Sequence, residues 1–257
     1  MRHLAAALLF VAVASAQAQP RISPNGAVNA ASFLSPATPG GAIAQGSIFS
    51  VFGENLGPRG LEATEFPLPT ALGGVEVLIF TGEGENFLAP LLYVSANQVN
   101  AILPSNVPPG RHLLRIQRDG IQTNDQFIKV VEASFGLFFS EQQGVAVAAA
   151  QAFTQFFTRL VGLETPARPG ETVTLWGSGL GRASGPDDQQ PIATPSQAQI
   201  EVLLAGRPVP HTYAGRSSCC AGLDQINVEI PPDAPTGCVV PLVVIVNGNV
   251  SNHVSLP

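Results

Sequence analysis

Gly46-Ser-Ile-Phe-Ser-Val-Phe-Gly53-Glu-Asn-Leu56-Gly57 returns 124 positions later as Gly170-Glu-Thr-Val-Thr-Leu-Trp-Gly177-Ser-Gly-Leu180-Gly181, with every glycine and the leucine in register. Gln98-Val-Asn-Ala-Ile-Leu-Pro104 likewise returns as Gln225-Ile-Asn-Val-Glu-Ile-Pro231, and Gly120 with Asn124 returns as Gly248 with Asn252. A period above 100 residues is too long for a solenoid repeat and fits two tandem domains of ordinary size.

The repeated stretches have the period of strands. Phe49 and Val51 flank a serine in one copy, and Val173 and Leu175 flank a threonine in the other. Such alternation buries one face of an antiparallel sheet. Val75, Val77 and Ile79 predict the next strand, matched by Ile200, Val202 and Leu204; Val99, Ala101 and Leu103 pair with Ile226, Val228 and Ile230. Each of these last runs ends at a proline, which cannot donate to a ladder. In Gly-x-x-Leu-Gly the chain leaves a strand, and positive φ at one or both glycines, or at Asn55 and Gly179, is expected. The Ala- and Phe-rich segment 145–161 has helical propensity, yet Gly26-x-Val28-x-Ala30-x-x-Phe33 is loosely echoed in Gly144-x-x-Val147-x-Ala149-x-x-x-Phe153. The echo favours edge strands opening the second domain and a boundary near 132–134. The expected organisation is a signal peptide at 1–18, one β-sandwich at 21–132 and a second at 133–257.

Met1-Arg2-His3 precedes an apolar stretch too short to span a bilayer, and Ala14-Ser-Ala16 and Ala16-Gln-Ala18 both suit signal peptidase. Export to the periplasm or the medium is expected, without later membrane insertion. The chain has 12 cations and 18 acids; losing Arg2 with the leader leaves 11 cations, a net charge near −7. This argues against nucleic acid, whose phosphates need a basic face. With 26 glycines and 23 prolines, many turns are implied; with 45% hydrophobic residues, so is a filled core.

The strand followed by Gly-x-Asn/Gly-Leu-Gly, a later tyrosine, Gln-Val/Ile-Asn and Ser251-Asn252 resembles an IPT/TIG-type immunoglobulin-like domain. More closely, Val28-Asn-Ala-Ala-Ser-Phe33, Leu92-Tyr-Val-Ser95 with Gln98-Val-Asn100, and Cys219-Cys-Ala-Gly-Leu-Asp-Gln-Ile-Asn227 resemble an acidobacterial (Solibacter-type) secreted C-terminal domain family. The resemblance implies an all-β chain of two tandem immunoglobulin-like (IPT/TIG-type) β-sandwiches. That family has no assigned reaction, so no catalytic residue is carried over. Phenylalanines in 151–158 stand where relatives would be expected to have a polar turn.

Cys219, Cys220 and Cys238 are the disulfide candidates. A strand of about 20 Å between Cys220 and Cys238 separates them, so the loop would have to fold back. Adjacent cysteines have the opposite defect, with Cα atoms only about 3.8 Å apart. Cys238 bonded to Cys219 or Cys220 is favoured, with the vicinal bridge as the alternative. A zinc site from the three cysteines and His211 is disfavoured by their spacing. Asp187-Asp188 reads as a solvated loop rather than a calcium site, Asp224 and Glu229 are too weak a pair for a glycosidase, and His112, His211 and His253 have no nucleophile partner. No Gly-x-Ser-x-Gly or His-Glu-x-x-His is present, and no cofactor or metal is expected. Tyr93, Trp176 and Tyr213 are expected in the core. The reading is a non-catalytic binding or adhesion module whose partner is a surface protein or glycan. A structural spacer is the alternative, and a glycan-binding or hydrolytic protein is less favoured. Recognition is expected in the loops that differ most between copies, 58–70, 182–197 and 214–223.

Overall fold

The computed structural model describes residues 19–82, 84–153, 158–182 and 184–257; the expected leader, 1–18, lies outside them. Among the described residues every regular element is a strand. Two sheets draw on strands between Arg21 and Val131, and two more on strands between Gly136 and Ser255. The first sheet runs Arg21–Asn29, Ile48–Glu54, Gln98–Ile102, Leu91–Val94, Leu61–Glu62. The second runs Ile43–Ala44, Gln126–Val131, Gly110–Arg118, Val75–Phe80, Ala71–Leu72. The third runs Thr158–Leu160, Ala150–Phe153, Thr172–Ser178, Asp224–Glu229, His211–Arg216, Thr194–Pro195. The fourth runs Phe139–Gln142, Val145–Ala148, Val254–Ser255, Pro241–Val246, Ile200–Leu204, Arg207–Val209. The chain is thus two tandem immunoglobulin-like β-sandwiches, each closed over its own apolar core.

Alternation places the cores. Val75, Val77 and Ile79 are fully buried, while Glu76, Leu78 and Phe80 face outward; Leu242, Val244 and Val246 do the same work in the second copy. The polar residues that recur between copies replace backbone partners. Asn124 accepts from Ile22 N (2.9 Å) and donates to Ile22 O (3.2 Å); Asn252 accepts from Leu137 N (2.8 Å) and donates to Leu137 O (2.9 Å). Ile22 and Leu137 also lie opposite Gly53 and Gly177 in the other sheet. One asparagine therefore ties the opening strand of each sandwich across its two sheets. Thr123 and Ser251 accept from Ile116 N and Val244 N, and Ser50 and Thr174 donate to Asn100 and Asn227 across equivalent strands.

The repeated glycines divide their roles. Asn55 (φ 54°) and Gly179 (φ 115°) take the left-handed conformation expected of them. Gly177 does not; a Cβ there would collide with Phe135 and the carbonyl of Gly136, where the opening strand crosses.

Segment 145–161 forms strands where it is described, Val145–Ala148, Ala150–Phe153 and Thr158–Leu160, with 154–157 outside the described residues. The echo used to predict them is out of step. Val28 lies opposite Ser50 and Gln151 opposite Thr174, so Val28 corresponds to Gln151 and not to Val147. Only Thr158–Leu160 is an edge, because Ala150–Phe153 is flanked on both sides. Alanines are too uninformative to fix a register without the ladder beside them.

Asn124→Ala and Asn252→Ala each leave two backbone groups of a buried residue unpartnered, and each is expected to cost about 2–3 kcal/mol. Urea unfolding at equilibrium checks this; a loss below roughly 0.5 kcal/mol, the usual range of surface substitutions, would remove the clamp's importance.

Candidate functional site at the junction of the two sandwiches

The three loops expected to carry recognition meet one another between the sandwiches. Leu68 N donates to Asp188 O (2.7 Å), and Leu68 packs with Ile102 and Ala221 in a small apolar cluster. Asp187 accepts from Ser105 N and Ser105 Oγ, both at 2.7 Å. Gly222 approaches Ile48 so closely that a Cβ would have to displace that side chain. Asn29, fully buried, donates to Ser134 O and Ser178 O; Ser178 Oγ accepts from Ile48 N and donates to Gly222 O. The inner sides of these loops are consumed in holding the domains together, which is why they differ between copies: each copy contributes a different half of one contact.

At the centre lies Arg216, 6% exposed, beside Asp224, 1% exposed. Arg216 Nη2 donates to Gly46 O in the first sandwich (2.8 Å), and Nη1 sits 3.1 Å from Asp224 Oδ1 without a well-directed hydrogen bond. The other carboxylate oxygen of Asp224 accepts from Gly179 N and Leu180 N, each at 2.8 Å. Burial pushes the Asp224 carboxyl above its ordinary range, opposed by the Arg216 charge and by those two N–H groups. Burial, and then the charge of Asp224, likewise raises the Tyr213 phenol, whose hydroxyl donates to Arg216 O (2.6 Å). On the solvent side a cleft of about 120 Å³ is lined by Gly46, Asp187, Gln189, Gln190, Arg216 and Gly222.

Cys219 and Cys220 form a vicinal disulfide on an exposed turn at the rim of this cleft, with Cα atoms 3.8 Å apart. Cys238 is free and exposed, so the favoured pairing of Cys238 with Cys219 or Cys220 is wrong. The strand Asp224–Glu229 separates them. Ala221 and Gly222, ahead of it, line the junction cleft, whereas Ile230, behind it, lines a separate apolar cavity of about 250 Å³ shared with Cys238.

The remaining candidates are dispersed. Asp224 is buried in the junction while Glu229 is exposed at the far end of the same strand; His211 and His253 are exposed, and buried His112 holds Pro108 O at 2.7 Å. Among the described residues no three of His, Cys, Asp and Glu gather as a metal site. Tyr93 and Tyr213 occupy equivalent positions, opposite Asn100 and Asn227, but they and Trp176 are half-buried on outward faces rather than in the cores. Arg216 was not singled out from the sequence. The available signal was its partner: Asp224 stands where the first copy has Asn97, and a carboxylate gained in an otherwise matched strand calls for a cation.

No protein-family model matches the chain, and no curated protein does. Among solved structures, SGBP-B of the Bacteroides ovatus mixed-linkage glucan utilization locus, solved with a heptasaccharide, aligns at 17% identity and TM-score 0.23 over 84% of this chain. The chain spans 42% of that protein's length. Domains 5–6 of the S-layer protein SbsC align at 12% identity and TM-score 0.24, over 93% of this chain and 97% of theirs. The FN1–FN3 domains of chicken CNTN1 align at 10% identity and TM-score 0.21, over 82% and 92%. No helix among the described residues is long and apolar enough to cross a membrane.

Removing one member of the buried pair strands the other. Asp224→Ala or Arg216→Met alone is expected to cost about 3–5 kcal/mol, whereas Arg216→Met with Asp224→Leu recovers most of that loss; denaturant titration of the three variants checks this, and additive losses would overturn it. The folded state holds the Asp224 proton more tightly than the unfolded chain, whose carboxyl titrates near pH ~3.9. Its contribution is complete below that pH and is lost as pH rises through the raised folded value. The stability advantage of the wild type over Asp224→Asn should therefore narrow with rising pH, and a constant gap would sink that assignment. For the cysteines, a colorimetric thiol reagent should find one reactive thiol per native, unreduced chain and none in Cys238→Ser.

Proposed function

We propose that the protein is an exported, non-catalytic binding or adhesion module of the cell envelope or extracellular space, acting through rigid surfaces. The observation that carries this reading is the junction. The bond from buried Arg216 to Gly46 O, side-chain hydrogen bonds and an apolar cluster unite the sandwiches, while His112, His253 and Glu229 lie apart from one another and from Asp224. Surfaces held in place before a partner arrives lose little conformational entropy on binding. The leader motif at 1–18 supports export, and the resemblance to a secreted acidobacterial family agrees with it. The same junction also favours a second reading, a stiff spacer within a larger surface assembly, which needs no ligand of its own.

The test uses residues 19–257 on an array of immobilised glycans and envelope proteins, beside a panel of glycosidase, esterase and peptidase substrates. Saturable capture by at least one array member without turnover supports a binding module; no capture supports the spacer. Turnover abolished by Glu229→Gln, Asp188→Asn or His211→Ala would make the protein an enzyme and end both readings. Expression of the full chain in a bacterial host should yield a mature N-terminus following Ala16 or Ala18; retention of Met1 would refute export.

A further inference from the structure

The outward face of the second sheet departs from the duplication. Ile116 and Val244 occupy equivalent positions, because each donates to the hydroxyl of the corresponding Thr123 or Ser251. Following the ladders from there, Arg111 and Arg115 match Val239 and Val243, Phe127 matches Ser255, and Phe80 matches Ala205. At these four positions the first sandwich has cations and phenylalanines where the second has small or aliphatic residues. Three of the chain's 12 cations, Arg111, Arg115 and Lys129, lie on this face of an otherwise acidic protein.

The guanidinium carbon of Arg111 lies 3.9 Å from the centroid of the Phe127 ring, and that of Arg115 lies 5.2 Å from the Phe80 ring. Arg115 is committed to Asp125 and Gln122, and Glu76 is held by Gln117. Arg111 and Lys129 are different. They stand directly opposite each other on neighbouring strands, both exposed, with no acidic partner among the described residues. Like charges placed opposite one another repel, and an anion between them removes that cost. Together with Phe127, which is half-exposed, and Pro36, they line an open groove of about 390 Å³.

We propose that this groove binds a carboxylate-bearing polysaccharide, a uronate polymer, with one carboxylate held between Arg111 and Lys129. The inference rests on the binding-module reading and names its ligand class. Stacking on Phe127 holds the planar fork of Arg111 in place, ready for bidentate contact with a carboxylate. A pyranose uronate carries its carboxylate beside an apolar C–H face in one rigid unit, matching cations set beside a phenyl ring. An acidic peptide fits less well. The strand Gly110–Arg118 is flanked on both sides, so its backbone offers no edge to a peptide strand, and flexible Asp or Glu side chains would lose rotamer entropy.

The test is affinity electrophoresis and calorimetry of residues 19–257 with polygalacturonate, its methyl ester, a neutral glucan and poly-L-glutamate, at low and high ionic strength. Polygalacturonate should retard the protein and the ester and glucan should not, with retardation weakening as salt rises. Arg111→Gln with Lys129→Gln should weaken binding by on the order of tenfold or more, with thermal stability retained. Arg207→Gln, which removes an exposed cation of the second sandwich, should bind as the wild type does. Wild-type affinity in the double variant, no binding to polygalacturonate, or tighter binding to poly-L-glutamate would each overturn the inference. Capture on the glycan and protein array that survives the double substitution would leave the binding-module reading standing while this groove is excluded.

Discussion

A guanidinium sealed between two sandwiches is the constraint on which the relative placement of the domains depends. Arg216 belongs to the second sandwich, yet one of its nitrogens is spent on the carbonyl of Gly46 in the first. Its charge is balanced by Asp224, whose other oxygen closes the turn after the strand Thr172–Ser178. Separating the domains would therefore disturb an inter-domain bond, a buried charge and a turn together. Buried pairs seldom add stability over an apolar substitute of the same shape. Their cost when broken makes a hinge here expensive, and that cost gives the tandem its fixed geometry.

The duplication is easiest to understand as a list of backbone groups that the sheets alone cannot satisfy. Asn124 and Asn252 stand in for a missing strand beside the opening segment, and Thr123 and Ser251 fill a gap beside the adjacent strand. Buried N–H and C=O groups without partners are costly, so these side chains recur at the same places in both copies. The apolar positions recur only in type, since a sandwich core accepts many side chains of suitable volume.

This difference explains what could be read beforehand. Strands with Val, Ile and Leu at every second position were legible, as was the left-handed conformation of Asn55 and Gly179, because each follows from local periodicity or local sterics. Ala150–Phe153 reads as strand from its echo of the first copy, but the echo is out of register, since small side chains give the pattern no contrast. The disulfide and the junction were hidden for another reason. Which end of Asp224–Glu229 a cysteine lies near, and which loops face the other domain, are properties of two sandwiches packed together. Two of the motifs behind the family resemblance include junction residues: Asn29 donates across the domains to Ser134 O and Ser178 O, and Gly222 packs against Ile48. Their joint function could not be read from either stretch alone.

Where the copies agree, the residues serve the fold; where they disagree, another demand acts. Two places concentrate the disagreement. One is the junction, where asymmetry is required because each sandwich contributes different residues to one contact. The other is the outward face carrying Arg111, Phe127 and Lys129, where Arg111 stacks on Phe127 but neither cation has an acidic partner among the described residues. An unpaired cation couple on a well-formed strand pair opposes folding slightly and adds nothing to the core. An anion from outside the molecule would relieve that repulsion, and the junction bonds of Arg216, Asn29 and Asp187 hold that face in a fixed position relative to the second sandwich.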